Sequence, residues 1–370
     1  LVGIHYFNQD NDNNPGTGTT PYIPNYNIDR LSLFILESKK FGKNLIEAGV
    51  RFDNETSSVR GRETNQNIFR DKFSKSNVTF SIGYQNEVSE SFLFRSNFGS
   101  AWRTPNMAEL YTFGAHGFKS TFGLFRYYIQ DSNFNTDRVI KMEENLVSSE
   151  KAFKFINEFE INKYEINLKF TLFSNYILNY VFERPIGIYG TIRGPMPYFI
   201  YDQADVIFLG SDFSFKREIS EKITSDFVFN YLWSKNLFKN EKLIDQPPIR
   251  ISNNFIWNIN SFWKINSSEI SLLPSYTFKQ FQAPITISPK DLIDGSISIN
   301  QDSEIFDFKD APDGYLLLDL SWKVNVNDLS FSFMVKNLLN KKYRSYLNHM
   351  RYFADEVGRN FIFNLSYSFK

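Results

Sequence analysis

Apolar and polar residues alternate along most of this chain with a period of two, the signature of strands with one greasy and one polar face. In the closing segment, Phe361, Phe363, Leu365, Tyr367 and Phe369 alternate with Asn360, Ile362, Asn364, Ser366 and Ser368. Phe92, Phe94, Phe98 and Trp102 share one face of an earlier segment, against Arg95, Asn97 and Arg103. Ile46, Ala48, Val50 and Phe52 oppose Glu47, Arg51 and Asp53. Leu329, Phe331, Phe333 and Val335 repeat the pattern near the end.

Such runs predict about fourteen strands, near 1–9, 26–40, 44–58, 72–86, 91–104, 141–159, 164–183, 198–218, 222–236, 248–264, 268–283, 313–326, 328–339 and 358–369. Their connections alternate in length. Tight turns are expected at "KFGK", "EVSE", "EINK", "EISEK", "KINSS" and "VNVND". Long loops rich in Gly, Pro, Asn and Asp fall near 10–25, 59–71, 105–140, 184–197, 237–247, 284–312 and 340–357. Up-and-down strands with short turns at one rim and long loops at the other predict an all-β, transmembrane antiparallel barrel. A soluble all-β fold also alternates, but its strands average five or six residues. The runs at 164–183 and 198–218 are far longer. A tilted membrane strand needs about ten residues in the apolar zone. Trp102, Tyr180–Phe182, Tyr231–Trp233 and Trp257–Trp263 sit near the ends of apolar stretches, as interfacial girdles do.

Composition sharpens this reading. The 370 residues include 40 Phe and 20 Tyr, yet mean hydropathy is −0.35, as fine-grained alternation of large rings with polar residues produces. Charge is balanced, 41 basic against 41 acidic residues, which removes the electrostatic case for nucleic acid. There is no cysteine, hence no disulfide framework or thiolate chemistry. No run of 18 residues is apolar enough for a spanning helix, so any membrane crossing is made by strands. No nucleophile set, phosphate loop, cofactor motif or oriented carboxylate pair stands out, so no enzyme activity is expected.

Several segments resemble the TonB-dependent outer-membrane receptors. "FGSAWRTPNMAELYTFGAHG" is similar to that family's Arg-x-Pro-Asn…Glu-Leu segment, through Arg103, Pro105, Asn106, Glu109, Leu110, Gly114 and His116. "VKNLLNKKYRSYLN" resembles its Asn-Leu-x-Asn-x-x-Tyr segment, through Asn337, Asn340 and Tyr343. "GRNFIFNLSYSF", with Gly358 and Arg359 before the alternation, resembles its last strand. "YIPNYNIDRLSLFILESK", "NLIEAGVRFD" and "IRGPMPYFIYDQADVIFLGSDF" resemble further barrel segments in the same order.

The resemblance implies a barrel of twenty-two strands around a plug. Residues 1–370 are then expected to be its C-terminal portion, about fourteen strands without the plug domain. It also implies active import of a scarce ligand, an iron complex (siderophore or haem) or a metal ion, in the outer membrane of a Gram-negative-type cell. The implied partners are outer-membrane lipid, the small-molecule ligand, the TonB energy-transducing complex acting through the plug, and the barrel-assembly machinery. That machinery would read the aromatic-ended strand carrying Phe361, Phe363, Leu365, Tyr367 and Phe369. The alternatives are a free-standing fourteen-strand passive channel and a soluble β-rich binding protein.

Candidate ligand-binding residues lie in the 105–140 loop. His116 and Glu109 could hold a metal or an iron chelate, or else fix the strand-to-loop junction; one His and one carboxylate do not make a ligand set. Tyr127, Tyr128, Phe122 and Phe125 could stack on an aromatic ligand, or pack among the loops. Asp202, Gln203 and Asp205 could touch a solute, as polar residues on a barrel's inner face. An Arg103–Glu109 pair, with Pro105 ending the strand ladder, would account for that motif structurally. His5 and His349 carry no spacing argument.

Overall fold

The computed structural model describes all residues except 14–19, 131–132, 146, 193, 260–264, 298–302 and 370. Fourteen strands form one wall: β1 (Val2–Asn11), β2 (Asn25–Phe41), β3 (Asn44–Arg62), β4 (Ile68–Ser89), β5 (Phe92–Arg103), β6 (Glu150–Lys163), β7 (Ile166–Thr191), β8 (Gly194–Ser220), β9 (Ile223–Asn236), β10 (Arg250–Ile259), β11 (Ser267–Thr277), β12 (Tyr315–Val326), β13 (Leu329–Lys336) and β14 (Asn360–Tyr367). Each pairs antiparallel with its neighbour in chain order. Among the described residues, β1 and β14 each leave one edge unpaired.

The registers show what the alternation is for. Ile223, Trp257, Ile270, Trp322, Phe333 and Phe363 lie opposite one another in a single row across six strands, β9 to β14. A second row joins Val2, Ile35, Val50 and Phe80 across β1 to β4. Trp257 is 55% exposed and Phe363 63%, although each is flanked by strands or a strand end. Apolar side chains set side by side in register and left uncovered define a continuous greasy surface, well beyond the scattered exposed side chains of soluble proteins. The opposite face carries charge in pairs. Arg30 Nε donates to Glu55 (2.8 Å), Arg51 Nε to Asp53 (2.8 Å), and Arg95 to Glu160 (2.7 Å) and Glu158. Lys169 lies 2.6 Å from Glu158. One strand period thus separates an apolar surface from an ion-paired one.

Two-residue turns close one rim at Gly42–Lys43, Glu90–Ser91, Tyr164–Glu165, Glu221–Lys222 and Asn327–Asp328. Tyr164 and Asn327 take positive φ there, the backbone that tight hairpins require. The expected turn at "KINSS" and the girdle residue Trp263 lie partly or wholly outside the described residues. The long connections all gather at the other rim.

Several expected boundaries move. The described residues of 141–149, read as the start of a strand, belong to a loop: Met142 N–H donates to Asp71 (3.0 Å), and Met142 and Val147 are buried in one cluster with Val59, Phe69 and Phe73. The turn at "EINK" accordingly shifts to Tyr164–Glu165. The long loop expected at 184–197 is absent as such, because β7 and β8 remain paired up to Thr191 and Gly194. Its Gly and Pro residues are absorbed by a register shift between Pro185 and Gly187. A Cβ on Gly187 would lie 2.4 Å from the Tyr198 hydroxyl, so the close approach needs glycine. The loop expected at 59–71 shrinks likewise, since β3 and β4 pair as far as Arg62 and Ile68. Strand β11 stops at Thr277; Gln280, read as strand, instead donates to the Gln246 carbonyl (2.8 Å) between two loops.

Two girdle expectations also change. At Asn179, with φ +56°, the β7–β8 register shifts and ends the simple alternation. Beyond it Phe182 packs with Ile177, Val206, Leu243, Ile244 and Ile305, inside a cluster covered by loops. Trp102 donates its indole N–H to Asp53 (3.0 Å) on the polar side, which the end of the β4–β5 ladder at Ser81 and Gly99 permits.

Candidate functional site: the loop platform above the wall

Pro105, which has no N–H, follows the last β5–β6 pair, Arg103 with Glu150. The next residues form the short helix α1 (Met107–Tyr111). Its N-cap Asn106 accepts from Glu109 N–H (2.9 Å), and the Glu109 carboxylate accepts from Asn106 N–H (2.7 Å), a reciprocal capping box. Arg103 grips both sides of this junction. It donates to both Glu109 oxygens (2.6 and 2.9 Å) and both Glu150 oxygens (2.5 and 2.7 Å). Glu150 also accepts from Val181 N–H (2.6 Å), tying β7 to the same hub. The family-like motif is therefore a joint between wall and loop.

That joint sets the 104–149 segment on the polar side of β3, β4 and β7. Leu110, Tyr111, Leu124 and Phe125 are buried there with Val59, Phe69 and Phe73. The Tyr111 hydroxyl donates to Asp71 (2.8 Å), and burial holds that phenol well above its ordinary range. Gly123 passes so close to α1 that a Cβ would lie 2.4 Å from the Leu110 carbonyl. Arg126 is buried over the Phe113 ring (4.3 Å) and donates to the Arg62 carbonyl (3.1 Å); burial pushes it down to about 10, the Glu63 charge opposing.

His116 and Glu109 are not brought together. His116 lies exposed where the short strands Phe113–His116 and Lys119–Phe122 meet, its ring 5.3 Å from that of Tyr22. Glu109 is committed to Arg103 and the helix cap. Among the described residues no group of three or more His, Cys, Asp or Glu side chains could hold a metal. The aromatic candidates pack on other rings of the same loop and on the wall. Tyr127 stacks on Phe134 (5.6 Å) and donates to the Tyr201 carbonyl (3.0 Å). Phe122 meets Phe134 edge-on (5.4 Å), Phe125 is fully buried, and Tyr128 donates to Asp137 (2.8 Å). Asp202 pairs with Arg184 (3.2 Å) and Asp205 accepts from Asn179 N–H (2.9 Å). Gln203 donates to the carbonyls of Ser148 and Asn179.

A second cluster was not legible in the sequence. His349 Nε2 lies 2.5 Å from Asp245 Oδ2, and its ring stacks on Phe199 at 5.1 Å and 8°. Glu183, 4.0 Å from the other imidazole nitrogen, pairs with Lys119. Arg351 donates to Asp307 (2.7 Å) between the rings of Tyr346 and Tyr352, and Tyr352 donates to the same carboxylate (2.7 Å). Burial works against the Arg351 charge, but Tyr352, Asp307 and Asp245 outweigh it and raise its pKa. The cluster unites β7 and β8 with residues from four separate loops, spaced so widely that no motif announces it.

The C-terminal motif ties the last loop. Asn337 N–H donates to Asp319 (2.8 Å), and the Asn337 side chain exchanges hydrogen bonds with Lys341 (2.8 and 2.9 Å). Asn340 accepts from Arg359 N–H (3.0 Å), while Arg359 Nε donates to the Leu338 carbonyl (2.9 Å). Asn337 and Asn340 both take positive φ, which asparagine tolerates. Gly358 leaves room for the Asn340 carboxamide, which a Cβ would meet at 2.7 Å. Tyr343 packs on Tyr315 at 4.5 Å. In β14, Phe361, Phe363, Leu365 and Tyr367 lie exposed on the apolar face, with Phe369 exposed just beyond the strand.

An up-and-down antiparallel wall, apolar on one side and ion-paired on the other, with every long loop at one rim, defines a membrane β-barrel architecture. The chain belongs to the TonB dependent receptor-like beta-barrel family, whose model matches residues 1–338. No curated protein matches it by sequence. Among solved structures it is similar to the copper transporter OprC, with a TM-score of 0.67 and 14% identity over 93% of this chain and 49% of that one. It is also similar to the ferric yersiniabactin uptake receptor FyuA from Yersinia pestis, with a TM-score of 0.60 and 12% identity over 98% and 50% of the two chains. The FrpB iron transporter from Neisseria meningitidis gives 0.59 and 12% identity over 93% and 46%. The chain thus spans about half the length of these proteins.

Proposed function

We propose that this chain forms part of the wall and the ligand-facing loops of an outer-membrane receptor that actively imports a scarce solute. The cargo is an iron complex, siderophore or haem, or a metal ion. Energy arrives from the TonB complex through a plug domain that is not among these residues. The observation that carries the reading is the family match over residues 1–338. Similarity to a copper transporter (OprC), an iron transporter (FrpB) and a ferric yersiniabactin uptake receptor (FyuA) supports a metal or iron-complex cargo.

The wall is part of a larger barrel in this proposal. Lipid offers no hydrogen bonds, and each unpaired backbone group costs several kcal/mol there. The unpaired edges of β1 and β14 therefore need partner strands, and half-length coverage of the solved relatives leaves room for them. The polar face then lines the lumen, the apolar rows face lipid, and the exposed aromatic positions of β14 serve the barrel-assembly machinery. His116, Glu109, Tyr127 and Tyr128 contribute to ligand capture by shaping the platform.

Uptake of labelled ferric siderophores, haem and copper, measured in a deletion strain with and without TonB, tests the proposal. TonB-dependent uptake of one of them, restored by the intact gene, is expected. Conductance in planar bilayers with no TonB-dependent uptake would instead establish the passive channel.

A further inference from the structure

The segment preceding β12 and the connection from β13 to β14 enclose a cleft of about 400 Å³. Five cationic side chains line it: Lys309, Lys341, Lys342, Arg344 and Arg351. Its three carboxylates, Asp310, Asp313 and Asp355, do not balance them. Asp355 accepts from Arg344 Nε (2.8 Å), Asp313 from Lys279 (3.1 Å), and Asp310 from the Thr286 hydroxyl (2.6 Å). Lys341 and Lys342 have no ion-pair partner among the described residues. Lys309 is spent on the neutral carbonyl of Tyr352. Arg351 is only 2% exposed; its Nη2 serves Asp307 and its Nη1 lies 3.2 Å from Asp245 Oδ1, while its Nε has no partner among the described residues.

A concave site with unpaired ammonium groups and an unfilled guanidinium N–H, that of Arg351 Nε, concentrates negative charge. Ammonium and guanidinium groups are donors only, and both match oxyanions. We propose that this cleft binds a small solute carrying at least two oxyanion groups, carboxylate or phosphate. Lys341 and Lys342 pair with one group, and Arg351 Nε donates to the other. Tyr315 and Tyr343, in ring contact at 4.5 Å, provide an aromatic wall for the solute's body. A bare metal cation has the wrong charge here; a metal reaches this cleft only inside an anionic chelate. The inference rests on the uptake reading only for the origin of the solute.

Binding is tested without transport, on the protein purified intact from outer membranes in detergent. Isothermal titration uses citrate and inorganic pyrophosphate as separate probes, so carboxylate and phosphate are distinguished. Saturable binding of either probe is expected, weakened by salt and reduced about tenfold in a Lys341→Ala/Lys342→Ala double variant. Lys290→Ala, outside the cleft, should bind like the parent. Heat-modifiable electrophoretic mobility confirms that each variant is folded. Absence of binding for both probes, or equal binding by the double variant, overturns the proposal. Anion binding that persists in a protein lacking TonB-dependent uptake would overturn the transport reading and leave the cleft standing.

Discussion

His349 lies 2.5 Å from Asp245, a residue 104 positions earlier, and its ring stacks flat on Phe199 of β8. Two loops and the wall thus meet at one imidazole. His349→Ala removes both contacts but touches no apolar row of the wall. We expect protease cleavage within 237–249 and 337–359 to rise about tenfold, since local opening free energy falls by about 1.4 kcal/mol or more. Heat-modifiable mobility of the barrel should not change. Unchanged cleavage in both loops would show that the cluster does not hold them.

Arg103 satisfies two carboxylates at once, so its loss leaves Glu109 and Glu150 facing each other. Arg103→Ala should destabilise the protein by about 3 kcal/mol, because breaking a partly buried ion cluster strands its charges. Arg103→Lys should recover only part, lacking the planar fork that serves both partners. Thermal unfolding in detergent measures both. Adding Glu109→Gln and Glu150→Gln to Arg103→Ala should restore stability if stranded charge is the cause.

Gly123→Ala places a methyl group 2.4 Å from the Leu110 carbonyl. The expected cost is about 2 kcal/mol, confined to the 104–149 platform. Gly190, where a Cβ meets nothing within 4 Å, supplies the control. Limited proteolysis should separate the two alanine variants.

Glu241 is 9% exposed and is bridged to Asn236 after β9. Burial raises its pKa, against the opposing charges of Arg184 and Lys239. A carboxyl whose folded pKa exceeds its unfolded one imposes a penalty on folding above that folded pKa. The penalty fades as pH falls through it. Glu241→Gln should therefore stabilise the 237–249 loop at neutral pH, by up to about 1 kcal/mol. The gain should vanish in acid. Loop proteolysis across pH reads this, and a gain that grows in acid would contradict it.

Phe363 and Asn364 are neighbours on opposite faces of β14. Phe363→Asp puts a charge into the apolar row with Phe333 and Trp322, at a cost of about 2 kcal/mol in a bilayer. Asn364→Asp should be close to neutral. Phe369→Asp should lower insertion if the terminal aromatic residue is read during assembly. The folded fraction in outer-membrane preparations distinguishes the three variants.

The Arg103–Glu109 pair was legible because its partners lie six residues apart, and the Asn337–Lys341 turn is equally local, whereas Glu150 and Asp319 join these motifs only through the fold. Capping boxes, strand ends and asparagine turns are local geometry. Of the two readings open for the loop rings, packing within the loop has local partners: Phe122 and Tyr127 meet Phe134, and Phe125 meets Tyr111. Where the chain passes Asn179, local reading failed. One positive φ shifts the β7–β8 register, and Phe182 moves from an expected girdle into a covered cluster.

The sequence by itself determined the wall, because a period of two is written in consecutive residues. Each strand's faces are decided before any partner is chosen. Tertiary structure alone decided the platform. Glu183, Asp245, Asp307, His349 and Arg351 come from distant segments with no shared spacing, and only the closing of the loops brings their charges within reach of one another. The cleft with the unpaired Lys341 and Lys342 has the same origin. Its charge surplus exists because five cations and three carboxylates from separate segments meet in space, and Lys341 and Lys342 find no carboxylate there among the described residues.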